Sequence, residues 1–371
     1  MKLYIIAGEA SGDLHGSNLI KQLHAQQPNL SIRCWGGEMM QAAGAELVKH
    51  YRDLAFMGFI EVILNIRTIA KNLRFCKKDI ADFHPDAIIL IDYPGFNMRI
   101  AEWAAKRNIK VFYYISPQIW AWKENRVHQI KRDVTRMFVV LPFEKDFYKK
   151  HNYDVEFVGH PLLDVISGAT KNSELFRAEN NLNSKPIIAI LPGSRKQEIS
   201  RMLPMMLSVE HSFSDFQFVI AGAPGQNPDF YNQFLKGVDT KILFGKTYQL
   251  LNHAEAGLIT SGTATLETGL FQLPQVVCYK ANQLSYWIAK KLIKIKYISL
   301  VNLILDKPAV TELIQNDLNK SRIESELNEL LHNNKRKQAL HADYQALHDQ
   351  LGGIGASQRT AHAMLKILNK T

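Results

Sequence analysis

Short apolar runs punctuate the whole chain. Residues 3–8, 87–92, 111–116, 137–141 and 155–159 form one series, and residues 187–191, 216–221, 241–244, 256–260 and 275–279 form a second. Most are continuous rather than alternating, rich in β-branched and aromatic residues, and bounded by Gly, Pro or Asp. Continuous runs of this kind read as strands buried on both faces, as in parallel sheets covered by helices. The segments between them have helical length. The pattern predicts an α/β protein built from two doubly wound, Rossmann-like sheets.

Between the two series lies Ser167-Gly168-Ala169-Thr170-Lys171-Asn172-Ser173, followed by a polar stretch ending at Pro186. This composition predicts a linker with a boundary near residue 165. Three pieces are expected: a first domain over 1–165, a second over 166–345, and a C-terminal helix within 346–371. From about residue 310 the chain reads as helical, and Ala361, Met364, Leu365 and Leu368 repeat at helical spacing. Two parallel-sheet domains of similar size imply a cleft. Ligands of such sheets bind outside the carboxyl ends of strands, so the loops there carry the most weight.

Composition narrows the picture. Of 371 residues, 46% are hydrophobic and 22% charged, which excludes disordered and fibrous classes. Lys and Arg number 45 against 35 Asp and Glu, a net charge of +10 that points to an anionic partner. The three cysteines, Cys34, Cys76 and Cys278, are scattered, so neither a disulfide framework nor a structural zinc is expected, and the compartment reads as reducing. The apolar start, Leu3 to Ala7, is too short for a signal-peptide core, and no run approaches the ~18 apolar residues of a membrane span.

Five strand-end loops could carry chemistry. Gly8-Glu9-Ala10-Ser11-Gly12-Asp13 matches neither a Walker loop nor a dinucleotide fingerprint; it is either a tight turn or a polar loop presenting Glu9 and Asp13. Asp92, before Tyr93-Pro94-Gly95-Phe96-Asn97, is either a turn former or a general base with a burial-raised pKa. Ser116-Pro117-Gln118-Ile119-Trp120-Ala121-Trp122, with Lys123 and Arg126, is either core and solvated helix or an aromatic wall rimmed by cations. Pro192-Gly193-Ser194-Arg195 is either a capped helix with a surface Arg or a diphosphate loop, in which Gly193 permits close approach, Ser194 caps the next helix, and Arg195 adds a fixed cation. Ser261-Gly262-Thr263 offers a second phosphate-friendly helix start, with Glu267 one turn on for ribose hydroxyls; a plain capping box is the competing reading.

Two basic amphipathic segments complete the inventory. Phe56, Met57, Phe59, Ile60, Ile63 and Ile66 lead into Arg67, Lys71, Arg74, Lys77 and Lys78; residues 287–296 are similar. Such segments either lie in an anionic membrane interface or turn their apolar stripe to the core.

Taken in order, these loops resemble the lipid-A-disaccharide synthase family. The resemblance is carried by Gly8 to Asp13, Met57 to Val62, Asp92 with Pro94 to Asn97, Ser116 to Trp122, Leu141-Pro142-Phe143-Glu144, Gly159-His160-Pro161, Leu191 to Arg195, Ser261 to Glu267, and Tyr297 to Asn302. Val301 stands where Pro is common in the family, and Gly95 where some members carry an acidic residue. The resemblance implies the GT-B architecture, with the acceptor on the first domain, the UDP-sugar on the second, and the terminal helix crossing back to the first. It implies an inverting condensation of UDP-2,3-diacylglucosamine with 2,3-diacylglucosamine 1-phosphate that releases UDP and uses no metal or cofactor. Asp92 is then the expected base and Arg195 the expected cation on the leaving phosphate. Gly193, Ser194, Gly262 and Thr263 line the diphosphate, Glu267 the ribose, and Ser299 and Asn302 the donor side. Glu9, Ser11 and Asp13 face the acceptor. A cytoplasmic enzyme peripheral on the inner membrane is expected, with homodimerisation open and no nucleic-acid partner. The competing readings are a UDP-sugar epimerase or peptidoglycan-type transferase on the same architecture, a nucleic-acid binder, and a non-catalytic membrane scaffold.

Overall fold

Strand β1 (Lys2–Ala7) shows why the sheets form: its residues from Leu3 to Ala7 are wholly buried. So are Ala87 to Leu90 in β4 (Ala87–Ile91), and all of the Ile187–Ile190 run in β8 (Ile187–Leu191). Apolar side chains on both faces are stable only where helices cover both sides. The computed structural model describes residues 1–54, 66–166, 172–235, 240–282 and 296–370. The chain divides into two units, Met1–Asp164 with Leu351–Thr371, and Val165–Gln350.

The first unit holds a seven-stranded sheet, all pairs parallel, in the order β3-β2-β1-β4-β5-β6-β7. Its remaining strands are β2 (Ser31–Gly36), β3 (Glu46–His50), β5 (Lys110–Tyr114), β6 (Arg136–Val139) and β7 (Glu156–Phe157). Strand order reverses between β1 and β4. Their register aligns Ala7 with Ile91, so the loops starting at Gly8 and Asp92 leave the sheet side by side. The helix Ala356–Leu368 belongs to this unit and packs along the helix Ala10–Gln26. Ala361 and Met364 are wholly buried, and the Asp164 carboxylate accepts the Gly355 and Ser357 amides at 2.6 and 2.9 Å to fix the helix start.

The second unit repeats the plan with six parallel strands in the order β10-β9-β8-β11-β12-β13. They are β9 (Gln217–Gly222), β10 (Lys241–Phe244), β11 (Ala256–Thr260), β12 (Gln275–Tyr279) and β13 (Thr311–Ile314), with β8 central. Order reverses between β8 and β11, and Leu191 lies opposite Ile259.

Three strands depart from the sequence reading. β2, β3 and β13 are missing from the apolar series because Arg33, Lys49 and Glu312 interrupt them. Arg33 pairs with Glu46 at 2.9 Å and with Asp79 at 3.0 Å, so its charge is held in place at the sheet. The region after residue 310, read as helical, opens with β13. Of the expected membrane-contact residues, Phe56, Met57, Phe59, Ile60 and Ile63 lie outside the described residues, as does 287–295; Ile66 opens the helix Ile66–Phe83.

Candidate active site

In the first unit the switch point carries two carboxyl groups. Glu9 occupies the N-cap position of the helix Ala10–Gln26, and Ser11 is exposed in its first turn. Gly8 is required: a Cβ there would sit 2.3 Å from the Tyr93 ring. Across the reversal, Asp92 and Tyr93 adopt left-handed φ of +43° and +48°, and Ile115, after β5, adopts +65°. A β-branched residue in that region is an outlier, and each such position costs about 1–3 kcal/mol. The strain is held by hydrogen bonds. Asn97 Nδ2 donates to the carbonyls of Ile91 (3.2 Å) and Asp92 (2.8 Å), and the Tyr113 hydroxyl donates to the Asp92 carbonyl at 2.6 Å.

Burial, and then the negative charge of Glu9, raise the Asp92 carboxyl from the ordinary 3.8 to about 7. The group is recessed without being sealed. A carboxyl with this pKa is part ionised at neutrality and is a far stronger base than an exposed aspartate.

Asp13 corrects the sequence reading. It is buried, and its carboxylate accepts the backbone amides of Gly37 (2.7 Å), Met40 (3.0 Å) and Met39 (3.2 Å). It anchors the start of the helix Glu38–Ala42, a role the sequence reading did not include. After β6, Glu144, part of the Leu141-Pro142-Phe143-Glu144 motif, is fully buried. Its Oε2 accepts the amides of Val140 and Leu141 at 3.2 and 3.0 Å, and burial pushes its carboxyl to about 7. The position three residues into the helix Pro142–Lys150 was the available signal.

In the second unit both switch-point loops are small and open. After β8, Gly193 takes φ +108°, and Ser194 and Arg195 are exposed. Ser194 does not cap the helix Lys196–Leu207. Arg195 holds the N-cap position, and Glu198 reaches back from inside the helix. Its Oε2 accepts the amides of Ser194 and Arg195 at 3.2 and 3.3 Å, and Arg195 Nη1 lies 3.4 Å from Oε1. After β11, Gly262 (φ +145°) and Thr263 are exposed at the start of the helix Thr263–Leu270. The N-cap there is Gly262 with no side-chain cap, so the capping-box alternative with Thr263 does not hold. Glu267 accepts the Tyr248 hydroxyl at 3.0 Å, and burial raises its carboxyl.

Ser299 and Asn302 stand on the loop that closes against β13. Both are buried, and Ser299 Oγ caps its own helix by accepting the Asn302 amide at 3.2 Å. Asn302 Nδ2 donates to the Val310 carbonyl and to Glu312 Oε1, both at 2.9 Å, and its Oδ1 accepts the Val310 amide at 2.9 Å. Glu312, unremarked in the sequence, also accepts the amides of Ile298 and Ser299 at 3.0 and 2.9 Å. These residues shape the loop before the helix Leu300–Leu305.

Among the described residues, no three His, Cys, Asp or Glu side chains gather as a metal site, and no helix is long and apolar enough to cross a membrane. Four loops thus stand at two switch points, one pair acidic and one pair rich in glycine and amides, and such points are where ligands of open α/β sheets bind.

A family model described as lipid-A-disaccharide synthetase matches residues 3–367. The lipid-A-disaccharide synthase of Syntrophus aciditrophicus (strain SB) is 38% identical over 374 residues, covering 99% of this chain and 98% of that protein. The chain belongs to the lipid-A-disaccharide synthase family. The Coxiella burnetii (strain Dugway 5J108-111) synthase is 37% identical, with 98% of each chain covered. Solved structures with the same two-sheet GT-B fold include the UDP-GlcNAc 2-epimerase of Neisseria meningitidis bound to UDP-GlcNAc, at TM-score 0.70 and 14% identity over 99% of this chain and 100% of that one. The calicheamicin glycosyltransferase follows at TM-score 0.59 and 14% identity over 100% and 98%. At those identities the likeness is one of fold alone. Family membership is that of a glycosyltransferase, the lipid-A-disaccharide synthase, and favours this over the epimerase reading.

Proposed function

We propose that the condensation of UDP-2,3-diacylglucosamine with 2,3-diacylglucosamine 1-phosphate, the reaction of a lipid-A-disaccharide synthase, runs here with Asp92 as general base and Arg195 as the cation on the leaving diphosphate. The acceptor's 6-hydroxyl ionises far above neutral pH and needs a base as its oxygen attacks. Asp92 takes that proton. The oxygen closes on the anomeric carbon of the donor from the face opposite UDP, the bond to the diphosphate breaks, and the anomeric configuration inverts. Negative charge grows on the leaving phosphate, where Arg195, the loop at Gly193 and Ser194, and the Gly262–Thr263 helix start receive it. Glu267 takes the ribose hydroxyls, and Glu9 and Ser11 face the acceptor.

What carries this reading is Asp92 itself: a carboxyl held near pKa 7 at the end of a central strand, on a strained backbone clamped by Asn97 and Tyr113. Asp92→Asn keeps the shape and removes the base. Turnover should fall by roughly 10²–10⁴-fold while calorimetric affinity for UDP is unchanged. Wild-type turnover in that variant would remove Asp92 from the role.

Both substrates carry acyl chains, so we place the enzyme at the cytoplasmic face of the inner membrane. The helix Ile66–Phe83 supports this. Cys76, Ile80 and Phe83 are buried, while Arg67, Lys71, Arg74 and Lys78 line a shallow, open groove with Phe75, itself 45% exposed. A cationic face with an exposed aromatic suits anionic headgroups.

A further inference from the structure

We propose that Glu198 is the resident anion of the diphosphate cradle: its carboxylate holds the Ser194 and Arg195 amides and the Arg195 guanidinium until a nucleotide's phosphate displaces it. The exchange sets affinity according to the charge of the nucleotide's phosphates. The inference rests on reading Gly193 to Arg195 as the diphosphate cradle.

The cradle's donors converge on one carboxylate. The amides of Ser194 and Arg195 reach Glu198 Oε2 at 3.2 and 3.3 Å, and Arg195 Nη1 reaches Oε1 at 3.4 Å. A positive helix end, two amides and a guanidinium are the groups that bind a phosphate oxygen. A carboxylate and a phosphate cannot both occupy them. The contacts are loose, since charge-assisted hydrogen bonds usually close to about 2.7–2.9 Å. Gly193 has its backbone pressed against this group: a Cβ there would lie 2.8 Å from Glu198 Oε2.

The first unit supplies the contrast. Glu144 stands at the same third position of its helix and accepts two amides in the same way, but its side chain is sealed in the core and cannot leave. The Glu198 side chain is 36% exposed, and that of its partner Arg195 is 59% exposed. It can swing into water without leaving a buried charge unpaired. The sealed glutamate is a permanent cap; the open one is exchangeable.

Glu198→Gln separates the charge from the cap, because the amide oxygen still accepts both backbone N–H groups. Calorimetry of the full chain with UDP and with uridine, for wild type, Glu198→Gln and Arg195→Ala, tests the idea. Glu198→Gln should bind UDP at least about fivefold tighter, leave uridine unchanged, and lose part of its advantage in high salt. UDP affinity equal to or below wild type would overturn the inference and leave Glu198 a helix cap. If Glu198→Gln melts below wild type, the thermal shift given by saturating UDP carries the same comparison: larger in the variant supports the exchange, smaller overturns it. Arg195→Ala distinguishes the two layers. Unchanged UDP affinity there overturns the cradle reading itself; weakened affinity there, without tightening in Glu198→Gln, overturns only the role of Glu198.

Discussion

The clearest test of the acid–base assignment is a change beside Asp92 rather than at it. Moving that carboxyl from the ordinary 3.8 to about 7 means that roughly 4 kcal/mol opposes its ionisation, first from burial and second from Glu9. A base must be deprotonated to act. Below pH 7 the active fraction of wild type therefore falls, to about a tenth at pH 6. Glu9→Gln removes the neighbouring charge and leaves the burial. The acid limb of kcat/KM should move to lower pH yet stay above that of an ordinary aspartate, because the larger cause persists. The plateau should drop modestly, since a base of lower pKa is a weaker one. The two profiles then cross: the variant is slower above neutrality and retains more of its own plateau at pH 6. UDP release followed between about pH 5 and pH 9 reads both features. An unmoved limb, or one displaced upwards, would refute the assignment of Asp92 and Glu9 as a coupled base.

Three further outcomes follow from the packing. Asp13→Ala strands three backbone amides at the start of the helix Glu38–Ala42 and should cost about 3–5 kcal/mol in urea unfolding; a loss under 1 kcal/mol would mean that these bonds are replaced by water. Asn302→Ala breaks three buried hydrogen bonds around Val310 and Glu312, and about 3 kcal/mol should be missing from the same measurement. Lys71→Gln with Arg74→Gln removes two charges from the cationic groove. At about 1 kcal/mol per charge, sedimentation with anionic vesicles should show roughly 30-fold weaker binding, and wild-type binding would exclude this face from the membrane contact.

The sheets were legible where burial on both faces leaves an unbroken apolar run, as in β1, β4 and β8. They were not legible where a charge sits within a strand. Arg33 in β2 pairs with Glu46 and Asp79, and Glu312 in β13 receives two amides and an asparagine. Nothing local announces partners so distant in sequence. The site divides in the same way. The turns at Gly193 and Gly262 could be read because glycine after a strand marks a tight turn, and both adopt φ that L-residues avoid. The backbone bonds of Asp13 and Asn302 were not legible, because a polar residue after a strand looks the same whether it faces a ligand or a backbone. Asp13 is claimed by amides 24 to 27 positions away.

The two sheets share a topology but not a charge. Each reverses its strand order beside its first strand, at β1 and β4 in one and at β8 and β11 in the other. The first reversal bears Glu9 and Asp92, and the second bears glycine loops, helix starts and Arg195. Glycosyl transfer asks for this asymmetry. A proton must leave the acceptor oxygen, and negative charge must be received on the departing phosphate. A single loop cluster serves these two demands poorly, because a cation beside Asp92 would depress the pKa that makes it a base. Likewise, a carboxylate beside the phosphate would repel the leaving group, and Glu198 does stand in that position. For the second reversal to work as an anion sink, that carboxylate must be the kind that can move away. The open setting of Glu198 allows that movement, and the sealed setting of Glu144 would not.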